Sequence, residues 1–314
     1  MIDAGRLFAK FPASMTVRTR NRLIALSIIA APFIFYLGLL LFWDAEPLPP
    51  IPPLPNPNGY EDLVKAGKMA DNETGNYYEM KLEELRQLVG RNSGALRAAR
   101  TGLQEDCAVP LQFSENYMSQ HFPELAGYKR LAQAFVAEGR LAELENRPGD
   151  AAKSYLDVIC LGHKSDHGGV LIDQLVGTAI EVMGVSQLQK LVDQLNAKAC
   201  HETAATLETL DSQRQTWNEV MQQERDWSRR MFPGVRFEIA RVMSRNSLNQ
   251  AYQKAEQKFD KQESSTRRLM IDLAARAYEL DKGHRPTSVA DLVPDYLKTV
   301  PQDLVTGTNL VYSP

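Results

Sequence analysis

Residues 23–43, LIALSIIAAPFIFYLGLLLFW, contain no charged side chain across 21 positions. An α-helix rises about 1.5 Å per residue, so this run spans roughly 30 Å, the thickness of a bilayer's hydrocarbon core. Pro32 falls mid-helix, where a membrane helix tolerates a kink. Trp43 ends the run, where an amphipathic ring prefers the headgroup level. A cleaved signal peptide has an apolar core of about 7–15 residues and small residues at its cleavage site. Here the core is longer and ends in Phe42 and Trp43, and the first cysteine that could carry a lipid is Cys107. A buried core helix of this length is rarely so uniformly apolar. The run is expected to be an uncleaved signal anchor.

Charge sets the orientation. The first 22 residues hold Arg6, Lys10, Arg18, Arg20 and Arg22 against Asp3. That net of +4 leaves −7 for the rest of a 314-residue chain whose total is −3. Arg18, Arg20 and Arg22 precede the apolar run, whereas Asp44 and Glu46 follow it. Positive residues stay in the cytoplasm, so the N-terminus is expected inside and everything after residue 43 outside. An acidic exterior part argues against a nucleic-acid partner, because phosphates need a clustered positive surface. Its partners are expected to be the lipid bilayer, through residues 23–43, and another envelope protein. With 44% hydrophobic and 24% charged residues, the chain is expected to fold outside the membrane rather than stay disordered.

Residues 44–59 include seven prolines in sixteen positions. Proline fixes φ and lacks a backbone donor, so the segment cannot be helix or sheet interior. A semi-rigid polyproline stalk beside the membrane is expected.

Beyond it, apolar residues recur at three- and four-residue spacing, which predicts helices. One helix covers 80–90 and is closed by Gly90, and a second follows Ser93. Residues 107–113, CAVPLQF, are expected to be extended. A helix over 124–146 starts with Pro123 in its first turn, and Asp150 caps the next, which carries Ala152, Tyr155, Leu156 and Ile159. Residues 168–195 are apolar on nearly all sides and should form a central helix. Gly177 and Gly184 each cost about 1 kcal/mol against Ala inside a helix. Their seven-residue spacing puts them on one face, so a neighbour such as the helix over 202–210, or a ligand, is expected to press against it. Helices over 211–231 and 237–259 follow. The first has Trp217, Val220, Met221, Trp227 and Met231 as an apolar stripe, read as core rather than cofactor box. Ser264, Ser265 and Thr266 can cap a further helix that Gly283 ends. Thr287 or Ser288 opens a short helix, and 303–312 form a small hairpin around Thr306 and Gly307.

The fold class expected is mainly α: an N-terminal transmembrane helix, a Pro-rich linker, and an irregular multi-helix extracytoplasmic bundle. A small C-terminal helix–loop–hairpin tail completes it. The divisions are 1–22 (cytoplasmic tail), 23–43 (membrane helix), 44–59 (linker), 60–263 (helical domain) and 264–314 (C-terminal segment).

Candidate chemistry is sparse. Cys107, Cys160 and Cys200 are widely spaced and read as small buried residues, with no CxxC. In an oxidising compartment they permit one disulfide, of unspecified pairing. His163 and His167 lie four apart near Cys160, a metal-ligand spacing on a helix. Yet they flank a helix end, lack the HExxH glutamate, and equally suit the helix dipole. GxSxG, Walker and GxGxxG motifs are absent. Glu219, Glu224 and Asp226 read as a solvated face. No catalytic, cofactor-binding or metal residue is therefore assigned, and no cofactor is expected.

Three resemblances add to this. Residues 128–161, an Ala-rich helix, a Pro-Gly-Asp turn and AAKSYLDVICL, resemble one tetratricopeptide unit. The tail, with Ala274, Tyr278, Gly283, Asp291, Pro294, Tyr296, Asp303, Thr306, Gly307 and Tyr312, resembles the C-terminal part of type II secretion pseudopilins. It departs from them at 19–23, which lack the peptidase site, so pilin-type processing is not implied. The whole chain, through GGVLIDQLVGTAIEVMG above all, is similar to membrane-anchored proteins of planctomycete-type bacteria to which no chemistry is assigned. The resemblance implies a bacterial inner membrane with the domain in the periplasm. The expected function is a non-catalytic protein-interaction or scaffold module of the envelope. The alternatives are an anchored hydrolase with an unrecognised site and a pseudopilin-related assembly factor.

Overall fold

A computed structural model of the protein describes residues 16–42, 48–71, 77, 79–232, 235–303 and 306–310. Helix α1 (Val17–Phe42) runs through Pro32 and contains the one segment, among the described residues, long and apolar enough to cross a membrane, Val17–Gly38. None of the described side chains in that segment is buried in the rest of the protein. Trp43 and residues 44–47 lie outside the described residues, and 48–58, with six prolines, have no helix or strand.

The remaining described helices are α2 (Gly59–Met69), α3 (Leu82–Leu103), α4 (Tyr117–Leu144), α5 (Pro148–Asp166), α6 (Leu171–Leu191), α7 (Ala197–Ser212), α8 (Trp217–Met231) and α9 (Val235–Lys282). Neighbours in sequence pack as neighbours in space: α2 on α3, α3 on α4, α4 on α5, α5 on α6. Helix α9 then returns along α7 and α6. One core contains Tyr60, Leu96, Tyr128, Phe135, Tyr155 and Leu188, all at most 2% exposed. Strand pairing among the described residues is a single antiparallel bridge, Gln302 to Asn309. With Asp303 N donating to Thr308 O (2.8 Å), it makes the hairpin expected around Gly307. Residues 304, 305 and 311–314, Tyr312 included, lie outside the described residues.

Several helix boundaries differ from the expected ones. Helix α3 is continuous through Gly90 and Ser93, because Leu85, Leu88, Ala95, Leu96 and Ala99 hold one buried stripe across them. Helix α4 starts at Tyr117, not after Pro123. Proline removes one helical donor, but burial of Tyr117 and His121 (5% and 1% exposed) keeps the earlier turn helical. Helix α5 begins at Pro148, with Asn146 taking the left-handed turn at φ 57°. Asp150 sits in the first turn, paired with Arg147 (2.6 Å), and does not cap. The single helix expected over 211–231 is broken. Thr216 and Glu219 form a capping box, Glu219 accepting from Thr216 N at 2.7 Å, and restart the chain as α8.

Helix α9 passes through Ser264, Ser265 and Thr266 uncapped. The Thr266 hydroxyl donates back to Gln262 O (3.2 Å) and Ser264 donates to Asp303 (2.9 Å). The boundary at 263/264 therefore falls inside one helix. Gly283, at φ 76°, ends α9, and Ser288 precedes the 3-10 turn Val289–Leu292 as expected.

Helix α6 is central, as expected, but starts at Leu171. Gly168 sits in the preceding turn at φ 71°. The glycine face meets α5 rather than the helix over 202–210. A Cβ on Gly177 would lie 2.7 Å from Gly162 O, and one on Gly184 would lie 2.7 Å from Tyr155 O. Backbone fills that face, which leaves no room for a ligand there.

Candidate functional site

A cleft of about 730 Å³ opens between the stalk and the helical domain. Residues 51–55 form one wall and 106–112 another, while His163, His167, Gln213, Gln215 and Gln223 line the far side. Local bonds explain why these segments meet. The Asn58 side chain caps α2 by accepting from Tyr60 N (3.2 Å). It also clasps Ala108, accepting from its N (3.0 Å) and donating to its O (2.9 Å). Val109 N donates to His167 O (2.9 Å), and Trp227 Nε1 donates to Gln112 O (3.0 Å). Gly168 N donates to Gln215 Oε1 (2.8 Å), and Arg230 donates to Pro49 O. The stalk, the 107–113 segment and the α7–α8 turn are thus tied together on one side of the domain.

His163 and His167 both line the cleft; Cys160 does not. Among the described residues no group of three His, Cys, Asp or Glu side chains is placed to hold a metal, so the expected candidates are not brought together. Burial lowers the His163 pKa to about 3, helped by the positive charges of Arg214, His167 and Lys164. Burial also lowers His167, against the opposing charge of Asp106. Both rings are therefore neutral at pH 7, each with one N–H donor and one acceptor. The far wall offers hydrogen-bonding groups from these two rings, three glutamines and Lys164, whose ammonium donates to Glu105 O. All three cysteines are free thiols. Burial raises Cys107 to about 11, Cys160 to about 12 and Cys200 to about 11, so none is a reactive thiolate.

A second polar cluster is buried except at Glu124, whose side chain is 29% exposed. His121 on α4 and Asp173 on α6 are 1% and 0% exposed, with Nε2 2.5 Å from Asp173 Oδ1. His121 Nδ1 lies 3.0 Å from Glu124 Oε2, which also accepts from Tyr60 OH at 3.0 Å. The ring stacks on Tyr117 at 5.0 Å. Asp173 also accepts from Val170 N (2.8 Å), and Glu224 of α8 accepts from Leu171 N (2.9 Å). Two carboxylates thus serve the α6 N-terminus, where the helix dipole favours them. Glu224 is half-buried at this cap and does not belong to a solvated face. No sequence motif marks the cluster, because its members come from α2, α4, α6 and α8. The chemistry of an aspartate–histidine pair is present, but closed to substrate.

The cluster has a measurable consequence. Burial disfavours the imidazolium, but the hydrogen bonds to Asp173 and Glu124 and their charges outweigh it, raising His121 from 6.5 to about 9. The folded state therefore holds this proton longer than the unfolded chain. The stabilisation is fully present below pH 6.5 and lost as pH rises through 9. Denaturant unfolding in detergent is expected to show a fall of about 2–3 kcal/mol across that window. His121→Gln should flatten this part of the profile, and an unchanged slope would refute the assignment.

No protein-family model, no curated protein and no solved structure matches the chain.

Proposed function

We propose that this protein is a non-catalytic binding module anchored by α1 in a bacterial inner membrane. The N-terminus lies in the cytoplasm and the helical domain outside, where the stalk-side cleft takes an extended segment of another envelope protein. The observation that carries this reading is the cleft's lining: two neutral imidazoles, three glutamine amides and the proline-rich stalk, with Asp106 and Lys164 its charged members. An extended chain presents an N–H or C=O at every residue, and amides and neutral rings can pair with both without the cost of desolvating a charge. The orientation rests on Arg18, Arg20 and Arg22 before α1 and on Asp44 and Glu46 after it. The hydrolase reading has its best candidate in His121 and Asp173, and their exposure of 1% and 0% weighs against it.

The test is site-specific photocrosslinking of the full chain in intact cells. A photoreactive residue at Gln213 or Gln223, which line the cleft, is expected to capture one defined protein. The same probe at Gln120, an exposed α4 position outside the cleft, should not. Filling the cleft through Leu54→Trp should abolish capture. Equal labelling from Gln120 and Gln213 would overturn the proposal.

A further inference from the structure

We infer that the segment taken by the stalk-side cleft is a polyproline II chain of another envelope protein, with an aliphatic side chain at every third residue. This deepens the proposed function and rests on it.

The cleft's own wall carries the pattern. From Leu48 the stalk repeats one aliphatic residue followed by proline: Leu48-Pro49-Pro50, Ile51-Pro52-Pro53, Leu54-Pro55. Proline fixes φ at about −65°, and a residue before proline is pushed out of the helical region, so the stretch is set for polyproline II. That helix has three residues per turn and rises ~3.1 Å per residue, so Leu48, Ile51 and Leu54 fall on one edge, ~9 Å apart. Ile51 and Leu54 line the cleft, yet they are 56% and 48% exposed. An apolar edge with that spacing matches a second chain of the same period, whereas a β-strand brings a side chain to one face every ~6.6 Å.

The opposite wall supplies donors. Proline has a carbonyl but no N–H, so a proline-rich chain presents mostly acceptors. Gln215 has its Oε1 taken by Gly168 N (2.8 Å), which leaves its NH2 for a ligand. The side chains of Gln213, His163 and His167 make no hydrogen bond among the described residues, and each neutral ring keeps one N–H. A preformed polyproline II helix also loses little conformational entropy on binding. A second copy's stalk carries the same repeat. In every copy, though, that stretch is already a wall of its own cleft, held by Arg230 at the Pro49 carbonyl and by Asn58 at Ala108. The partner is therefore a different protein.

The test uses the full-length protein in detergent and three fluorescent peptides, with binding read by anisotropy. One peptide copies residues 48–56, the second replaces its prolines with alanine, and the third places alanine at 48, 51 and 54. The first is expected to bind about tenfold tighter than either of the others. Gln213→Leu, which removes one donor, should weaken its binding about three- to tenfold. Leu54→Ser, which interrupts the apolar edge, should weaken it about fivefold. Gln120→Leu, outside the cleft, should leave it unchanged. Equal binding of all three peptides, or of none, while Gln213 still photocrosslinks a protein in cells, would overturn the polyproline chemistry and leave the cleft's binding role intact. No peptide binding and no capture would overturn both. Peptide binding that weakens as protein concentration rises would give the cleft to a second copy's stalk and overturn a separate partner.

Discussion

Replacing Arg214 with methionine is expected to destabilise the folded domain by about 3–5 kcal/mol at pH 8, the cost of leaving a buried charge without its partner. Arg214 donates to Glu181 at 2.8 Å, with the two side chains 8% and 0% exposed. The pair is imperfectly satisfied, since Arg214 Nε and Glu181 Oε1 have no hydrogen-bond partner. Asp166 shares the site. Burial raises its pKa well above the usual carboxylate range, the charge of Glu181 raises it further, and Arg214 opposes both. Without Arg214 the Glu181 carboxylate is left in a low-dielectric interior beside Asp166 with no positive charge to offset it. Arg214→Met combined with Glu181→Leu should recover most of the stability, because an apolar pair of similar volume replaces both charges. Urea unfolding followed by far-ultraviolet circular dichroism decides the matter. A single-variant loss under 1 kcal/mol would mean that water reaches Glu181 in solution.

Two glycine substitutions are expected to differ in sign although both lie inside helices. Gly90→Ala on α3 should stabilise by about 1 kcal/mol, the helix-propensity gain, because a Cβ there meets nothing within 4 Å. Gly184→Ala on α6 should cost about 1–3 kcal/mol, and Gly184→Val more. Its Cβ would sit 2.6 Å from Ile159 Cγ1 and 2.7 Å from Tyr155 O. A backbone carbonyl within a helix cannot swing aside as a side-chain tip can, so α5 and α6 would have to separate. Thermal unfolding of the two alanine variants in one detergent gives the comparison. A Gly184→Ala protein more stable than the parent would show that the helices can part freely.

The elements whose signal is local were legible in the sequence. The apolar run, the proline-rich stalk, the helical hairpin of α4 and α5, the stop at Gly283 and the short turn after Ser288 all follow from neighbours a few residues apart. The capping box at Thr216 and Glu219 was equally local, yet the apolar stripe through Trp217 and Val220 masks it. Boundaries failed where tertiary burial overruled the local cue, as at Gly90, Pro123 and Ser264. In each the helix continues because flanking side chains are buried or because a hydroxyl finds its partner in the same helix or in the tail.

The sequence by itself determined that the chain carries one candidate membrane helix, a stalk that cannot be helical, and a mainly α domain. Those outcomes depend on hydrophobicity and backbone freedom, which each residue carries with it. Only the tertiary structure decided that Gly177 and Gly184 receive α5, and that His163 and His167 face a cleft as neutral rings. It also decided that His121, Asp173, Glu124 and Tyr60 form one network, buried except at Glu124. These depend on which helices lie side by side, and on how far burial and neighbouring charge move each proton, distances that separation along the chain does not encode.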